Sequence, residues 1–316
     1  MAITIYRSTD VSAPTMSGTI GSLITVLDAC LITGYGSQPA AGWTKPYTGT
    51  NLAVYRMAAT TAPATGMYLR VDDTAAQVAR IRGFQTMSDV NTGSNPFPTD
   101  AQVNGGLAIR KSVTAAATAR PWVLVSDDRG FYLWVFGNQT VYGVTDSSDT
   151  VMFFGDIITN ESTDGGECVL IGSTSAAATG NVQTFGTIAT TYNAAVGHFI
   201  AKPFTGLGGS WPVSKIRRAP SATASSTVIG PAVSGAYPDP VTGGVNLFAI
   251  EIIESNIVFR GLMPGFWEPY GGTNVGTIGD TFNGAGSLSG QTFILLPVYD
   301  SATVGRIALR INGTWY

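Results

Sequence analysis

Two runs near the middle of the chain, residues 122–125 and 131–136 in PWVLVSDDRGFYLWVFG, are apolar at consecutive positions and flank the polar turn Asp127-Asp128-Arg129-Gly130. A strand with one wet face alternates, so a strand that is apolar throughout is covered on both faces. This hairpin therefore lies between two layers. The second cover is either an opposite sheet of the same chain or a neighbouring subunit, and the concentration of Trp and Phe favours the sheet.

Elsewhere the pattern separates one helix from many strands. In APTMSGTIGSLITVLDACLITGYG, Ile20, Leu23, Ile24, Leu27 and Leu31 fall at the spacing of one buried stripe, with Thr15 or Ser17 placed to cap the start and Gly34 to end it. A second, shorter helix is expected after Thr99. NLAVYRM, GMYLRVDD, QVARIRGFQTM and GLAIRKS read as short strands of an antiparallel meander. Arg56, Arg70, Arg80, Arg82 and Arg110 occupy their polar places, the pattern of a solvated strand face. A nucleic-acid surface fits less well, because Asp72, Asp73 and Asp89 lie among them and the chain is acidic overall.

Eight aromatic residues fall between Trp122 and Phe154, marking the densest part of the core. Residues 130–201 hold no Lys or Arg and six acids: Asp146, Asp149, Asp156, Glu161, Asp164 and Glu167. The following stretch, 202–240, reverses this character: it is rich in Pro and Gly and carries Lys202, Lys215, Arg217 and Arg218, with Trp211 among them, before its first acid. A structureless segment of that length is a functional loop or a linker. From Val245 the chain returns to strands. The expected fold is thus mainly β, an antiparallel β-sandwich or barrel-like body with one N-terminal amphipathic helix and a long Pro/Gly-rich arm. The expected organisation is a main β domain over 1–201, an extended arm or linker over 202–244, and a C-terminal β segment over 245–316, either a small domain or the completion of the first.

Composition narrows the function classes. Charged residues make up 12% of the chain, the net charge is −3, and Ser with Thr contribute about a fifth. Aromatics at 10% argue against disorder, so the surface is built of hydroxyls and amides, which cost little to desolvate when subunits pack together. The start, MAITIYRSTDVSAP, has no basic region followed by an apolar run, so no secretory signal is expected. No window is long and apolar enough for a membrane helix. The two cysteines, Cys30 and Cys168, are expected to be buried free thiols.

The search for chemistry returns little. A single histidine, His198, leaves no Ser-His-Asp or Cys-His set and, with two distant cysteines, too few ligands to assign a zinc site, and there is no phosphate-binding glycine loop. Paired acids exist at Asp127-Asp128, Asp72-Asp73 and Asp146/Asp149, but each sits in a turn that Asp itself favours. Asp89, Asn91 and Gly93 have the spacing of a calcium loop without its later acidic ligand. Phe266, Trp267 and Tyr270, set among prolines in GLMPGFWEPYGG, suit either a sugar-stacking platform or a rigid turn folded onto the core. No catalytic residue, cofactor or metal is assigned.

SLITVLDACLITGYGSQPAAGWTKPYTGTNLAVYR, YLRVDDTAAQVARIRGFQTMSDVNTGSNPFP and ARPWVLVSDDRGFYLWV, with FTGLGGS, RGLMPGFWEPY and GDTFNGAGSLSGQTFILLPVYD, resemble a family of proteins of about this length encoded by tailed bacteriophages and prophages. The similarity is spread along most of the chain and is weakest over 215–245. The resemblance implies a non-enzymatic virion structural protein, at the neck, along the tail or decorating the capsid. It would be made in the bacterial cytoplasm, where unpaired cysteines are ordinary. Its expected partners are copies of itself and other virion proteins, with neither nucleic acid nor a membrane span. The arm of Lys202, Trp211, Lys215, Arg217 and Arg218 is the candidate assembly element, and Asp146, Asp149, Asp156, Glu161, Asp164 and Glu167 its candidate acidic docking surface. The alternative is a tail receptor-binding module that recognises host glycan through Phe266, Trp267 and Tyr270.

Overall fold

The computed structural model describes residues 2–59, 63–136, 142, 149–159, 167–174, 198–202, 215–217, 244–254, 258–269, 276–300 and 303–316. The chain is mainly β, with 49% of the described residues in strands and 7% in helices, so the sheets carry the fold. Among the described residues the strands form two antiparallel sheets.

The larger sheet, which curls into a half-barrel, holds β1 (Thr4–Arg7), β2 (Thr44–Gly49), β3 (Leu52–Arg56), β4 (Tyr68–Asp72), β5 (Val78–Met87), β6 (Gly93–Phe97), β7 (Leu107–Arg110), β8 (Trp122–Ser126), β9 (Gly130–Val135) and β10 (Thr150–Asp156). After the two-residue β11 (Ile158–Thr159), β12 (Cys168–Ser173) and β13 (His198–Ala201) complete it. Along the sheet the order is β1-β8-β9-β10-β12-β7-β5-β4-β3-β2, with β6 on β5 and β13 on β12. The second sheet runs β14 (Lys215–Arg217), β15 (Leu247–Glu254), β16 (Val258–Pro269), β19 (Thr303–Arg310), β18 (Thr292–Asp300) and β17 (Thr281–Asn283), and β11 crosses over to pair with β16.

The hairpin β8–β9 lies at the junction, and its alternate residues belong to two different cores. Trp122, Leu124, Phe131, Leu133 and Val135 pack with the helix and the meander. Val123, Val125, Tyr132 and Trp134 pack with Ile250, Ile252, Met263, Phe266, Ile294, Leu296, Ile307 and Leu309 of the second sheet. The second face of the hairpin is therefore covered by the chain itself, which accounts for its unbroken apolar sequence.

The helix differs from its expected form at the start. It comprises α1 (Ser22–Leu27) followed by a π-helical turn (Asp28–Thr33), and it buries Leu23, Val26, Leu27, Cys30 and Leu31. Ile20 precedes the helix and is 50% exposed, so it is not part of the buried stripe. Neither Thr15 nor Ser17 supplies the cap. Gly21 enters the helix in a left-handed conformation, and the carboxylate of Asp73 accepts the N–H groups of Leu23 (2.8 Å) and Ile24 (3.4 Å). Gly34 ends the helix with φ 74°, as its sequence position predicts. The second helix is absent: Thr99 accepts from the N–H groups of Gln102 and Val103, and Gly105 and Gly106, both at positive φ, turn the chain into β7 after that one turn.

The arginines of the meander are also less solvated than their alternation suggests. Arg110 is buried, and Arg56, Arg70, Arg80 and Arg82 are half-buried along neighbouring chain. At the end of the larger sheet's order among the described residues, β2 carries Lys45 and Pro46 and shifts register between Thr44 and Tyr47, features that discourage edge-to-edge pairing.

Candidate functional site

The polar turn of the hairpin carries a group of interlinked charges. Asp127 holds the turn by accepting, through Oδ1, the N–H groups of Arg129 (2.8 Å) and Gly130 (3.0 Å), while its carbonyl accepts Trp43 Nε1 at 2.8 Å. Its other carboxylate oxygen, Oδ2, is buried without a hydrogen-bond partner. Burial, with a smaller push from the Asp128 charge, raises its pKa to about 7 against the pull of the two N–H donors.

Arg129 reaches from this turn to Asp156 at the end of β10, with Nε 2.9 Å from Oδ2, and its guanidinium lies 3.9 Å from the centre of the Tyr316 ring. Tyr316 in turn donates its hydroxyl to the Asp156 carbonyl at 2.6 Å. Asp156 also accepts the N–H and hydroxyl of Thr65, yet desolvation leaves its pKa raised. Gly130 and Gly155 face each other across the strands, and a Cβ on Gly155 would come within 2.6 Å of Gly130 Cα. Only glycine permits that approach.

The cluster sets the carboxyl of Asp127, whose pKa burial raises, beside the Arg129–Asp156 ion pair. Asp127 and Asp156 are 1% and 0% exposed, so a glycoside could not reach them. The cluster fastens the turn, β10 and the C-terminal residue together. The Asp72-Asp73 pair also divides its work: Asp72 accepts the Thr74 hydroxyl at 2.6 Å, while Asp73 is fully buried against the ammonium of Lys111. Lys111 Nζ donates further to the carbonyls of Thr19 (2.7 Å) and Ala75 (3.2 Å).

The proposed calcium loop is an Asx turn. Asp89 Oδ1 accepts Asn91 N–H at 3.0 Å, and the Arg70 guanidinium occupies the vicinity by donating to Val90 O and Asn91 Oδ1. Among the described residues no group of three or more His, Cys, Asp and Glu is placed to hold a metal ion. Cys30 and Cys168 are both buried and free.

The expected assembly elements are distributed differently from their order in sequence. Lys202 is 6% exposed, its ammonium 5.3 Å from the Phe97 ring centre and its carbonyl accepting Arg260 at 2.9 Å, so it anchors the chain inside the molecule and is not offered to a partner. Lys215 and Arg217 lie on β14, opposite Ile253 and Glu251 of β15. Of the acids, Asp149 and Asp156 are buried and Glu167 is half-buried, so these three do not make an open docking surface. Trp211, Arg218, Asp146, Glu161, Asp164 and Tyr270 lie outside the described residues.

The aromatic platform is divided by strand alternation. Phe266 points inward, 1% exposed and stacked on Tyr132 with ring centres 5.2 Å apart, whereas Trp267 joins Phe293 on the other face of the second sheet. Phe266 and Trp267 therefore cannot present one surface. Neither the buried Asp73–Lys111 pair nor the raised pKa of Asp127 is signalled by residue type. The position of Asp127 does give a clue, since a turn between two strands covered on both faces has buried ends.

Comparison of the sequence with protein-family models and with curated proteins gives no match.

Proposed function

We propose that this chain is a structural subunit of a tailed-phage virion, a neck, tail or capsid-decorating component that associates with its own copies and with other virion proteins. The supporting observation is where the family-like segments fall in the fold. SLITVLDACLITGYG holds the helix, ARPWVLVSDDRGFYLWV the central hairpin, and RGLMPGFWEP with QTFILLPVYD parts of the second sheet. What resembles the family is thus the scaffold, as befits proteins that share a shape more than a reaction.

The rest of the reading follows from the same scaffold. We take the two facing sheets as a sandwich or barrel-like body with the Pro/Gly-rich segment as its arm. Asp73, Asp127 and Asp156 are engaged in capping, turn formation and ion pairs, which supports a non-enzymatic role. The surface is poor in charge, so association costs little desolvation. Because β2 discourages strand addition, the contacts expected are face to face.

Two measurements test the proposal. Peptides of this chain should be found at fixed stoichiometry in purified tailed-phage particles from the strain that encodes it, and the isolated protein should form a defined oligomer in sedimentation velocity. A strict monomer that is absent from the particles would overturn it.

A further inference from the structure

Three Asn-Gly pairs occur in the sequence, Asn104-Gly105, Asn283-Gly284 and Asn312-Gly313. An asparagine followed by glycine is open to attack on its own side-chain amide by the next backbone nitrogen, because glycine has no Cβ to hinder the approach and leaves the backbone free to rotate. In sequence the three pairs are equivalent. The fold separates them.

Two of the pairs are held. Asn312 accepts Thr292 N–H through Oδ1 at 2.7 Å and donates through Nδ2 to Gly290 O at 2.9 Å, so its amide is fastened at both ends. Gly313 is fixed as well, since its carbonyl accepts Ile3 N–H at 2.8 Å. At the end of β17, Asn283 Oδ1 accepts the Thr292 hydroxyl at 3.2 Å, and the nitrogen that would have to attack, Gly284 N, donates to Gln291 O at 2.8 Å. In both pairs the amide carbon meets the nitrogen only after bonds between neighbouring segments have opened.

Asn104 is placed differently. It is exposed, and its side chain makes no hydrogen bond to the described residues. It is the second residue of a turn closed by Gly106 N–H donating to Val103 O at 3.0 Å, and Gly105 and Gly106 follow with φ of 74° and 96°. A Cβ placed on Gly105 would meet nothing within 4 Å, so the backbone has room to rotate. One bond restrains the nucleophile: Gly105 N–H donates to Asp100 Oδ1 at 3.1 Å. That carboxylate is 67% exposed and also serves Arg82, so exchanging its bond to Gly105 for water costs little.

We propose that Asn104-Gly105 is a self-modification site, at which the folded protein loses the Asn104 side-chain amide as ammonia. The Gly105 nitrogen gives its proton to hydroxide and bonds to Asn104 Cγ. The Cγ–Nδ2 bond breaks, and ammonia leaves with its third proton taken from water, so that a succinimide ring remains. Water then opens the ring at either carbonyl, giving an aspartyl residue or an isoaspartyl one. The new carboxylate lies on the turn beside Asp100, just before β7, and the isoaspartyl form lengthens the main chain by a methylene inside the bond between Gly106 and Val103. The inference does not depend on the virion reading.

The test holds the full-length protein in warm, mildly alkaline buffer, with samples digested by pepsin at low pH. Mass spectrometry then locates the gain of about 1 Da that marks each lost amide. In the folded protein Asn104 should gain it about tenfold or more faster than Asn283 and Asn312, the ratio expected where anchored hydrogen bonds must open first. In urea the three rates should converge. Asn104→Gln, whose longer side chain does not close the same ring, should remove the fast release of ammonia and leave the melting temperature unchanged. Faster reaction at Asn283 or Asn312, the same ranking in urea, or fast ammonia release that survives Asn104→Gln would overturn the proposal. So would an Asn104 that reacts in urea and stays intact in the folded protein, which would mean that the bond to Asp100 protects it. None of these outcomes bears on whether the chain is found in particles, so the two proposals fail separately.

Discussion

Tyr132 and Phe266 join the two sheets. Their rings stack with centres 5.2 Å apart and planes 10° from parallel, and the Tyr132 hydroxyl donates to Pro264 O, next but one to Phe266 in the chain, at 2.9 Å. One side chain of the central hairpin thus contributes both packing and a buried hydrogen bond to the contact. Trp315 adds an edge against the same tyrosine at 5.3 Å, so the C-terminal residues close the joint.

Phe266→Ala should therefore destabilise the protein by about 3–5 kcal/mol, the usual cost of emptying a buried aromatic site. Tyr132→Phe keeps the stack but leaves Pro264 O without its donor, at a cost of about 1–3 kcal/mol. Trp267→Ala, on the half-buried outer face, should cost less than Phe266→Ala. Urea denaturation followed by fluorescence ranks the three. A larger loss for Trp267→Ala would contradict the assignment of faces.

Asp127 makes stability depend on pH. Its folded pKa is raised to about 7, above the ordinary carboxyl value of about 3.9. Between those values the folded state holds a proton that the unfolded chain has released. This contribution to stability is therefore complete below pH 4, is lost as the pH rises from about 4 to about 7, and changes no further above that. Its size is on the order of a few kcal/mol. Asp127→Asn retains the Oδ1 acceptor and removes the titration. Relative to wild type, the variant should gain stability as the pH rises from 4 to 8, and parallel melting curves across that range would show that Asp127 is not the group responsible.

How far the sequence disclosed this arrangement depended on whether neighbours in the chain or distant residues set each feature. The hairpin was legible because burial on both faces removes alternation, a property of consecutive residues. The end of the helix at Gly34 was legible for the same local reason. The start was not, because its cap comes from Asp73, on the far side of the first β-hairpins. Likewise Arg110 occupies a position that alternation assigns to solvent, but the path of the chain buries it. Phe266 and Trp267 look equivalent in sequence, and only the strand's register sends them to opposite faces. Lys202 reads as the first charge of a basic arm, yet it is held inside by Phe97 and Arg260, more than fifty residues away on either side.

The buried pair of Lys111 and Asp73 should be sensitive to removal of one partner and tolerant of removal of both charges. Both side chains are fully buried, and Asp73 also caps the helix. Lys111→Met leaves a carboxylate without its counter-ion, at a cost of about 3–5 kcal/mol. Adding Asp73→Asn to that variant keeps an acceptor for Leu23 N–H and removes the isolated charge, so the double variant should recover part of the loss. A double variant less stable than Lys111→Met alone would mean that the cap outweighs the ion pair.

Charges on β14 provide a test of the basic segment in assembly. Lys215 and Arg217 lie on a three-residue strand at the end of the second sheet's order among the described residues, paired with β15. Replacing both with Gln changes the charge by two while leaving the backbone pairing with Glu251–Ile253 possible. If these residues face an acidic surface on a neighbouring subunit, wild-type association should weaken as salt screens the contact. The Gln variant should associate more weakly at low salt and respond less to added salt, with an unchanged melting temperature. Sedimentation velocity across a salt series measures both quantities. Association of the variant equal to wild type at every salt concentration would exclude β14 from the interface.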